Sequence, residues 1–309
     1  MAGEALEAQA PHVAPARLDR LEAEAVHILR ELAFYERAAI MFSGGKDSAV
    51  LLHVAIKAFA PARAPFRLLH IDTGHNYPEV IAYRDARAKE TGLPLIVREV
   101  EDSIRRGSVR LPSATASRNA AQAVTLTEAQ QEFEFDALIG GARRDEEKAR
   151  AKERIFSHRD AFGAWRPRAQ RPELWGLYNR HIGVGENMRV FPLSNWTEAD
   201  IWAYIVRERI ELPSLYFTHE REVVRRDGLL FPVTPLTPPQ DGEAAERLKV
   251  RFRTVGDITC TCPVESFAAN AADVLSETLT AAVSERGATR MDDRANAAAM
   301  ERRKLEGYF

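Results

Sequence analysis

Short apolar runs alternate with amphipathic stretches along the first two thirds of the chain. Apolar residues recur at helical spacing from Leu18 to Leu32, and a short continuous apolar run typical of a buried strand follows at 38–42. Further strand patterns, separated by helical ones, occupy 66–71, 95–100, 137–139 and 189–193. This alternation predicts an α/β fold in which helices flank a twisted parallel sheet and ligands bind at the carboxyl ends of the strands.

The two ends of the chain carry weaker patterns. Residues 1–16 are rich in Ala, Pro and Glu, and we expect them to form a flexible tail. Prolines become frequent after Pro213, so we expect the α/β domain to cover 17–215. The remaining residues, 216–309, are predicted to form an irregular C-terminal extension that contacts a partner.

Composition narrows the classes of function. The 309 residues include 43 Lys and Arg against 45 Asp and Glu, a net charge of −2, so we expect no nucleic-acid partner. The sequence has neither a signal-peptide core nor an apolar run of about 18 residues, which predicts a cytoplasmic protein without a membrane span. The two cysteines, Cys260 and Cys262, suit a reducing compartment. They could form half of a metal site or a strained disulfide, but no second pair of ligands lies at zinc spacing.

The hexamer Ser43-Gly44-Gly45-Lys46-Asp47-Ser48 joins the first strand to a helix. Its glycines allow the backbone to approach a ligand closely, and the helix start adds partial positive charge, so the segment predicts an anion site. The segment is not a Walker loop, because Ile40 stands where the first glycine of that motif belongs. It is not a Rossmann loop either, because the third glycine of that motif is missing. The hexamer resembles the PP-loop of N-type ATP pyrophosphatases, which hold the β- and γ-phosphates and cleave ATP between α and β. The alternative is an ordinary glycine turn capped by Ser43 and Asp47.

A second polar cluster follows the strand at 137–139. Gly140-Gly141 again permits close approach, and Arg143-Arg144 could bind oxyanions with two parallel hydrogen bonds from each guanidinium. The alternative is a salt-bridged exposed helix, since Glu146 and Arg150 are four residues apart. We expect Arg143 and Arg144 to face the ligand and the later charges to be solvated.

The second strand ends in a polar turn that contains Asp72 and Gly74. Because carboxyl ends of parallel strands share one edge, we expect this turn near the hexamer. His70 and His75 flank Asp72 and permit a metal site, but a packed strand histidine and a solvated turn histidine are the simpler expectation. The sequence does not identify metal ligands.

Two later segments have mainly structural interpretations. Residues 156–187 mix arginine and aromatic side chains without a period, which favours a partner surface or a cover for the site. Thr197 and Asp200 are spaced as a capping box for a helix. Trp196 and Trp202 are expected in the core.

Five segments together resemble the small subunit of heterodimeric bacterial sulfate adenylyltransferases, within the PP-loop and phosphoadenosine-phosphosulfate reductase-like superfamily. They are residues 43–48, 70–74, 140–148, 170–175 and 191–198. The resemblance implies an adenine nucleotide α-hydrolase-like fold, ATP and sulfate as substrates, and adenosine 5′-phosphosulfate and pyrophosphate as products. It also implies a GTPase large subunit as partner, and the charge of the pyrophosphate that would leave predicts Mg²⁺. Many members carry Ile where Gly44 stands and lack the cysteine pair, so this chain resembles a distinct branch.

The charge requirements of this reaction suggest roles for the polar clusters. Lys46 and the hexamer would hold pyrophosphate, while Arg143 and Arg144 would bind sulfate or the α-phosphate. The expected catalytic residues are therefore Lys46, Arg143 and Arg144. The expected nucleotide-binding residues are Ser43, Gly44, Gly45, Lys46, Asp47, Ser48, Asp72, Gly74 and Gly141.

Three alternatives stay open at this point. A phosphoadenosine-phosphosulfate or adenylylsulfate reductase would need a nucleophilic cysteine close to the carboxyl end, and residues 304–309 contain none. A tRNA-thiolating PP-loop enzyme would want a basic RNA-binding surface, which the net charge does not indicate. A non-catalytic regulator of the GTPase is a third possibility, and the intact Lys46 and Arg143-Arg144 pair argue against it.

Overall fold

The computed structural model describes residues 13–281 except 112, 114, 115, 147, 166 and 171. Six strands form its main sheet: β1 (Ala38–Met41), β2 (Arg67–Asp72), β3 (Leu95–Glu99), β4 (Ala137–Ile139), β5 (Phe156–Arg159) and β6 (Asn187–Val190). Their order is β3-β2-β1-β4-β6-β5, and all neighbours are parallel except β5, which runs antiparallel to β6. The predicted α/β architecture is confirmed. The antiparallel edge strand β5 was not predicted.

Helices cover both faces of this sheet. They are α1 (Pro15–Glu31), α2 (Lys46–Phe59), α3 (Pro78–Thr91), α4 (Val100–Arg105), α5 (Gln122–Glu132), α6 (Lys148–Ala151), α7 (Glu198–Glu208) and α8 (Ala271–Thr280). Apolar side chains of α1, α2 and α7 pack with Ile40 in one core, and those of α4 and α5 pack with Leu69 in another. Trp196 and Trp202 are fully buried, as predicted.

The start of α7 confirms the predicted capping box. Thr197 Oγ1 accepts a hydrogen bond from Asp200 N at 3.2 Å, and the Asp200 carboxylate accepts one from Thr197 N at 2.8 Å. The same carboxylate accepts two hydrogen bonds from Arg17 at 2.7 Å each. The cap therefore also connects α7 to α1.

Strand register brings the two polar loops together. Ile40 in β1 lies opposite Leu68 in β2 and Ile139 in β4, so the loops after β1 and β4 leave the same edge of the sheet side by side. A Cβ added at Gly141 would lie only 3.0 Å from the backbone carbon of Asp47. Glycine at this position therefore allows the two loops to touch.

The C-terminal extension is not irregular over its described part. It forms an antiparallel sheet in the order β10-β9-β7-β8 from strands β7 (His219–Arg226), β8 (Leu229–Pro232), β9 (Glu246–Arg251) and β10 (Val264–Glu265). These strands were not predicted from the sequence, because they are rich in charged residues, which have low strand propensity. Cross-strand ion pairs compensate, such as Arg225 with Glu246 at 2.6 Å.

The extension also joins the main core, to which it contributes Tyr216, Ala268 and Val274. The division of the chain at residue 215 stays a prediction. Of the predicted tail, 1–12 lie outside the described residues, and α1 already begins at Pro15. Residues 282–309 lie outside as well.

Within the described part of the chain, no helix combines the length and hydropathy that crossing a bilayer requires.

Candidate active site

A cavity of about 210 Å³ lies where β1 and β4 end. Five of the predicted residues line it: Ser43, Gly45, Asp47, Ser48 and Gly141. The remaining wall comes from Met41, Ile71, Gln122, Leu126, Gly140, Ala142, Glu146, Arg150, Tyr216, Thr254 and Val255. Polar loop residues thus form one side of the cavity, and apolar side chains form another.

The loop between β1 and α2 is fixed by its own hydrogen bonds. Ser48 Oγ donates to Gly45 O at 2.8 Å, and Gly45 N donates to Ser43 Oγ at 3.3 Å. Gly44 has a φ of +79°, and a Cβ there would meet Val80 Cγ1 at 2.7 Å. The left-handed backbone and the close approach of α3 both require glycine at this position in this chain.

The first amide of α2 contacts the C-terminal extension. Lys46 N donates to Tyr216 Oη at 2.9 Å, and Tyr216 is buried beside Trp202. The N-cap residue of α2 is Gly45, which has no side chain to cap the helix, and the amino end of α2 borders the cavity through Gly45, Asp47 and Ser48.

Two cations from distant parts of the sequence converge on Asp47. Lys46 Nζ lies 3.0 Å from Asp47 Oδ2, and Arg143 Nε lies 2.7 Å from Asp47 Oδ1. Both cationic side chains are 1% exposed, whereas the Asp47 side chain is 21% exposed. Burial by itself would raise the pKa of Asp47, but the charges of Lys46 and Arg143 outweigh it and lower the pKa to about 2. Asp47 is therefore a carboxylate at neutral pH.

The two neighbouring arginines go to different surroundings. Arg143 forms ion pairs with Asp145 and, at 3.7 Å, with Glu146 in addition to Asp47. Arg144 donates to Asn195 Oδ1 and to the backbone oxygen of Glu153. The structure thus brings Arg143 to Lys46, whereas Arg144 lies on the side of Asn195.

The turn after β2 is held by its own aspartate. Asp72 Oδ1 accepts hydrogen bonds from Gly74 N at 2.8 Å and Asn76 Nδ2 at 3.0 Å. Asp72 and Gly74 do not line the cavity, although Ile71 does. Gly74 has a φ of +72°, and Arg118 Nη1 would lie 2.9 Å from a Cβ there.

Both histidines near this turn are buried, so the expectation of a solvated His75 was wrong. His70 Nδ1 lies 2.8 Å from the Phe42 carbonyl oxygen, and His75 Nδ1 lies 3.6 Å from Asp257 Oδ2. Burial lowers the pKa of each imidazole. The C-terminal extension covers His75, which sequence spacing could not reveal.

The described residues contain no group of three or more His, Cys, Asp or Glu side chains that could hold a metal ion. Cys260 and Cys262 are buried thiols and do not form a disulfide.

Sequence reasoning missed several residues of the wall. The expectation that the charges after Arg144 are solvated was wrong for Glu146 and Arg150, whose side chains are each 10% exposed. Their i, i+4 spacing was a visible signal, but it indicated an exposed helix equally well. No sequence signal indicated Tyr216, Thr254 or Val255, because their position depends on how the extension folds back.

Comparison with known proteins gives consistent matches. The family model of the phosphoadenosine phosphosulfate reductase domain matches residues 37–263. A Streptomyces lavendulae protein named sulfate adenylyltransferase subunit 2 is 58% identical over 294 residues, which cover 94% of this chain and 92% of the relative. A relative of the same name from Mycobacterium sp. (strain JLS) is 58% identical over 290 residues, 94% of this chain and 93% of its own. Among solved structures, Candida glabrata FMN adenylyltransferase in complex with ATP is 14% identical, with a TM-score of 0.47 over 73% of this chain and 75% of that one.

Proposed function

This chain belongs to the family of sulfate adenylyltransferase subunit 2, and we propose that its cavity joins ATP and sulfate into adenosine 5′-phosphosulfate and pyrophosphate. The observation that carries the proposal is the convergence of Lys46 and Arg143 on Asp47 beside the amino end of α2. An adenylyl transfer that releases pyrophosphate needs cationic groups and amides beside the phosphates, where they offset the negative charge. The enzyme is thus a nucleotidyltransferase.

The chemistry requires charge compensation more than proton transfer. Sulfate is a dianion at neutral pH, so its attack on the α-phosphorus needs no general base. Two like unit charges 4 Å apart repel by about 4 kcal/mol at an effective dielectric constant of 20. Because both reactants carry several charges, fixed cations and N–H dipoles must be in place before they meet.

The residues divide this task. We propose that the amides and hydroxyls of 43–48, with the Lys46 ammonium, hold the β- and γ-phosphates that leave as pyrophosphate. Asp47 keeps Lys46 and Arg143 oriented while no nucleotide is bound. Gly141 allows close approach of the second loop, and the turn at Asp72 and Gly74 supports the nucleoside side of the cavity through Ile71. That Arg143 and Arg144 bind sulfate or the α-phosphate stays a prediction.

Mg²⁺ fits this cavity as an ion that arrives with ATP. The cavity wall offers two carboxylates, Asp47 and Glu146, and Mg²⁺ in such sites is held by one or two carboxylates, substrate phosphates and water. When bound, it would neutralise part of the triphosphate charge. The described residues supply no larger ligand set.

We further propose that the other subunit is a GTPase and that the complex works in the cytoplasm. The name of the relatives, subunit 2, implies more than one subunit. Formation of a phosphosulfate anhydride is strongly uphill, so coupling to GTP hydrolysis by a partner is physically sensible. Two cysteines that remain thiols suit a reducing compartment.

The reductase alternative lacks its nucleophile. The two cysteines of this sequence, Cys260 and Cys262, are both buried, whereas a reductase would need an accessible thiol as its nucleophile. The match to the reductase domain family therefore indicates a shared fold.

Pyrophosphate release tests the proposal. The chain purified with its partner subunit and supplied with GTP should release pyrophosphate from ATP only when sulfate is present. Lys46→Ala should lower kcat/KM about 10²- to 10³-fold, the loss typical of one preorganised charge. Lys89→Ala, on the exposed side of α3, is the matched control and should retain activity. Sulfate-independent release, or an unchanged rate in Lys46→Ala, would refute the assignment.

A further inference from the structure

The roles proposed above leave one cationic side chain of the cavity wall unused. Among the described lining residues, three carry charged side chains, namely Asp47, Glu146 and Arg150, and Arg150 alone is positive. Arg150 lies on the short helix α6 at the far end of the loop that leaves β4. Its side chain is only 10% exposed, so it is part of the wall and not of the outer surface.

The charges in this wall and directly behind it alternate. Asp47 contacts Arg143, Arg143 Nε lies 3.7 Å from Glu146 Oε1, and Glu146 Oε2 lies 3.1 Å from Arg150 Nε. Arg143 sits among three carboxylates, those of Asp47, Asp145 and Glu146, so its charge is already balanced within the fold. Arg150 lies next to Glu146 and is held in orientation by it. A cation oriented in advance contributes to catalysis without further reorganisation.

We propose that Arg150 binds the attacking sulfate, an inference that rests on the proposed function and identifies the residue that contacts the second substrate. The planar guanidinium presents paired N–H donors that match two oxygens of a tetrahedral oxyanion. The phosphate-binding loop and Arg150 line the same cavity, so a sulfate bound to Arg150 shares that space with the nucleotide. Glu146 positions Arg150 and does not contact sulfate.

The step is balanced without a proton transfer. One sulfate oxygen forms a bond to the α-phosphorus while the bond from that phosphorus to the α,β-bridging oxygen breaks. The electron pair of the broken bond leaves with pyrophosphate, which remains at Lys46 and the loop 43–48. Arg150 offsets the charge of the incoming dianion, and Lys46 offsets the charge of the leaving group.

The test compares the apparent affinities for the two substrates in the complex with the partner subunit. Arg150→Gln should raise the KM for sulfate about tenfold or more, the loss expected for a charge-assisted hydrogen-bond pair, and leave the KM for ATP within about twofold. Arg150→Lys should give an intermediate KM for sulfate, since it keeps the charge and loses the paired donors. Arg247→Gln, which changes an exposed side chain on β9, is the matched control and should leave both KM values unchanged. Thermal unfolding of each variant checks that it is folded.

The outcomes separate this inference from the proposed function. If the native complex, supplied with ATP and GTP, releases no pyrophosphate in response to sulfate, the proposed function itself fails. If the native complex is active and Arg150→Gln keeps its KM for sulfate within twofold, Arg150 does not bind sulfate. An equal rise in both KM values would also overturn the inference, because Arg150 would then shape the cavity as a whole.

Discussion

Asp47 bridges Lys46 and Arg143, a contact that the spacing of residues in the sequence does not reveal. The sequence predicted Lys46 and Arg143 as cations at two strand ends, which the register of β1 and β4 brings side by side. That one carboxylate bridges them depends on side-chain directions within two loops, and no spacing encodes these. The consequence is that Lys46, the lysine that we propose to bind phosphate, is already paired with an anion inside the fold.

The pH dependence of stability tests this bridge. An unfolded aspartate has a pKa of about 3.9, whereas the pKa of folded Asp47 is about 2. Its contribution to stability is therefore fully present above about pH 4 and is lost as the pH falls through about 2. The difference in free energy of unfolding between the native protein and Asp47→Asn should shrink by about 2 kcal/mol over that range. Urea unfolding at several pH values measures it, and a difference that stays constant down to pH 2 would contradict the bridge.

Single elements were predicted well wherever apolar periodicity was clean. The strands β1 to β4 and the helices α2, α3 and α5 follow the patterns because buried faces dictate them. The antiparallel sheet was missed although Asp227-Gly228 joins β7 to β8 with φ values of +47° and +75°, a strong hairpin signal. Nearby prolines and charges outweighed that signal in the sequence.

Helix α7 is connected to Arg143 through Asp145. Its first amide, Glu198 N, donates to Asp145 Oδ2 at 2.9 Å, and Asp145 in turn contacts Arg143. Thr197→Ala removes the side-chain cap next to this amide and should lower the free energy of unfolding by about 1 kcal/mol. Thr197→Ser keeps the hydroxyl and is the matched control. Denaturant titration of both variants decides the point, and equal losses in the two would exclude a role for the cap.

The whole molecule combines a near-neutral net charge with a locally charged cavity wall. A net charge of −2 gave no indication of the candidate anion site, because Lys46 and Arg143 are paired with the carboxylate of Asp47 inside the fold. The extension completes the cavity through Tyr216, Thr254 and Val255, so the site spans the predicted division at residue 215. Such long-range closure follows from tertiary packing and could not be predicted from local patterns.

Isotope transfer is the most direct test that sulfate attacks the nucleotide in this molecule. The complex with the partner subunit is supplied with ATP, GTP and sulfate, and only the sulfate is labelled, with ¹⁸O at every oxygen. Mass spectrometry then measures the mass of the intact nucleotide product. If a sulfate oxygen attacks the α-phosphorus, the adenosine 5′-phosphosulfate will retain all of the sulfate oxygens as ¹⁸O. Loss of one labelled oxygen from that product, or formation of unlabelled AMP in its place, would contradict the account.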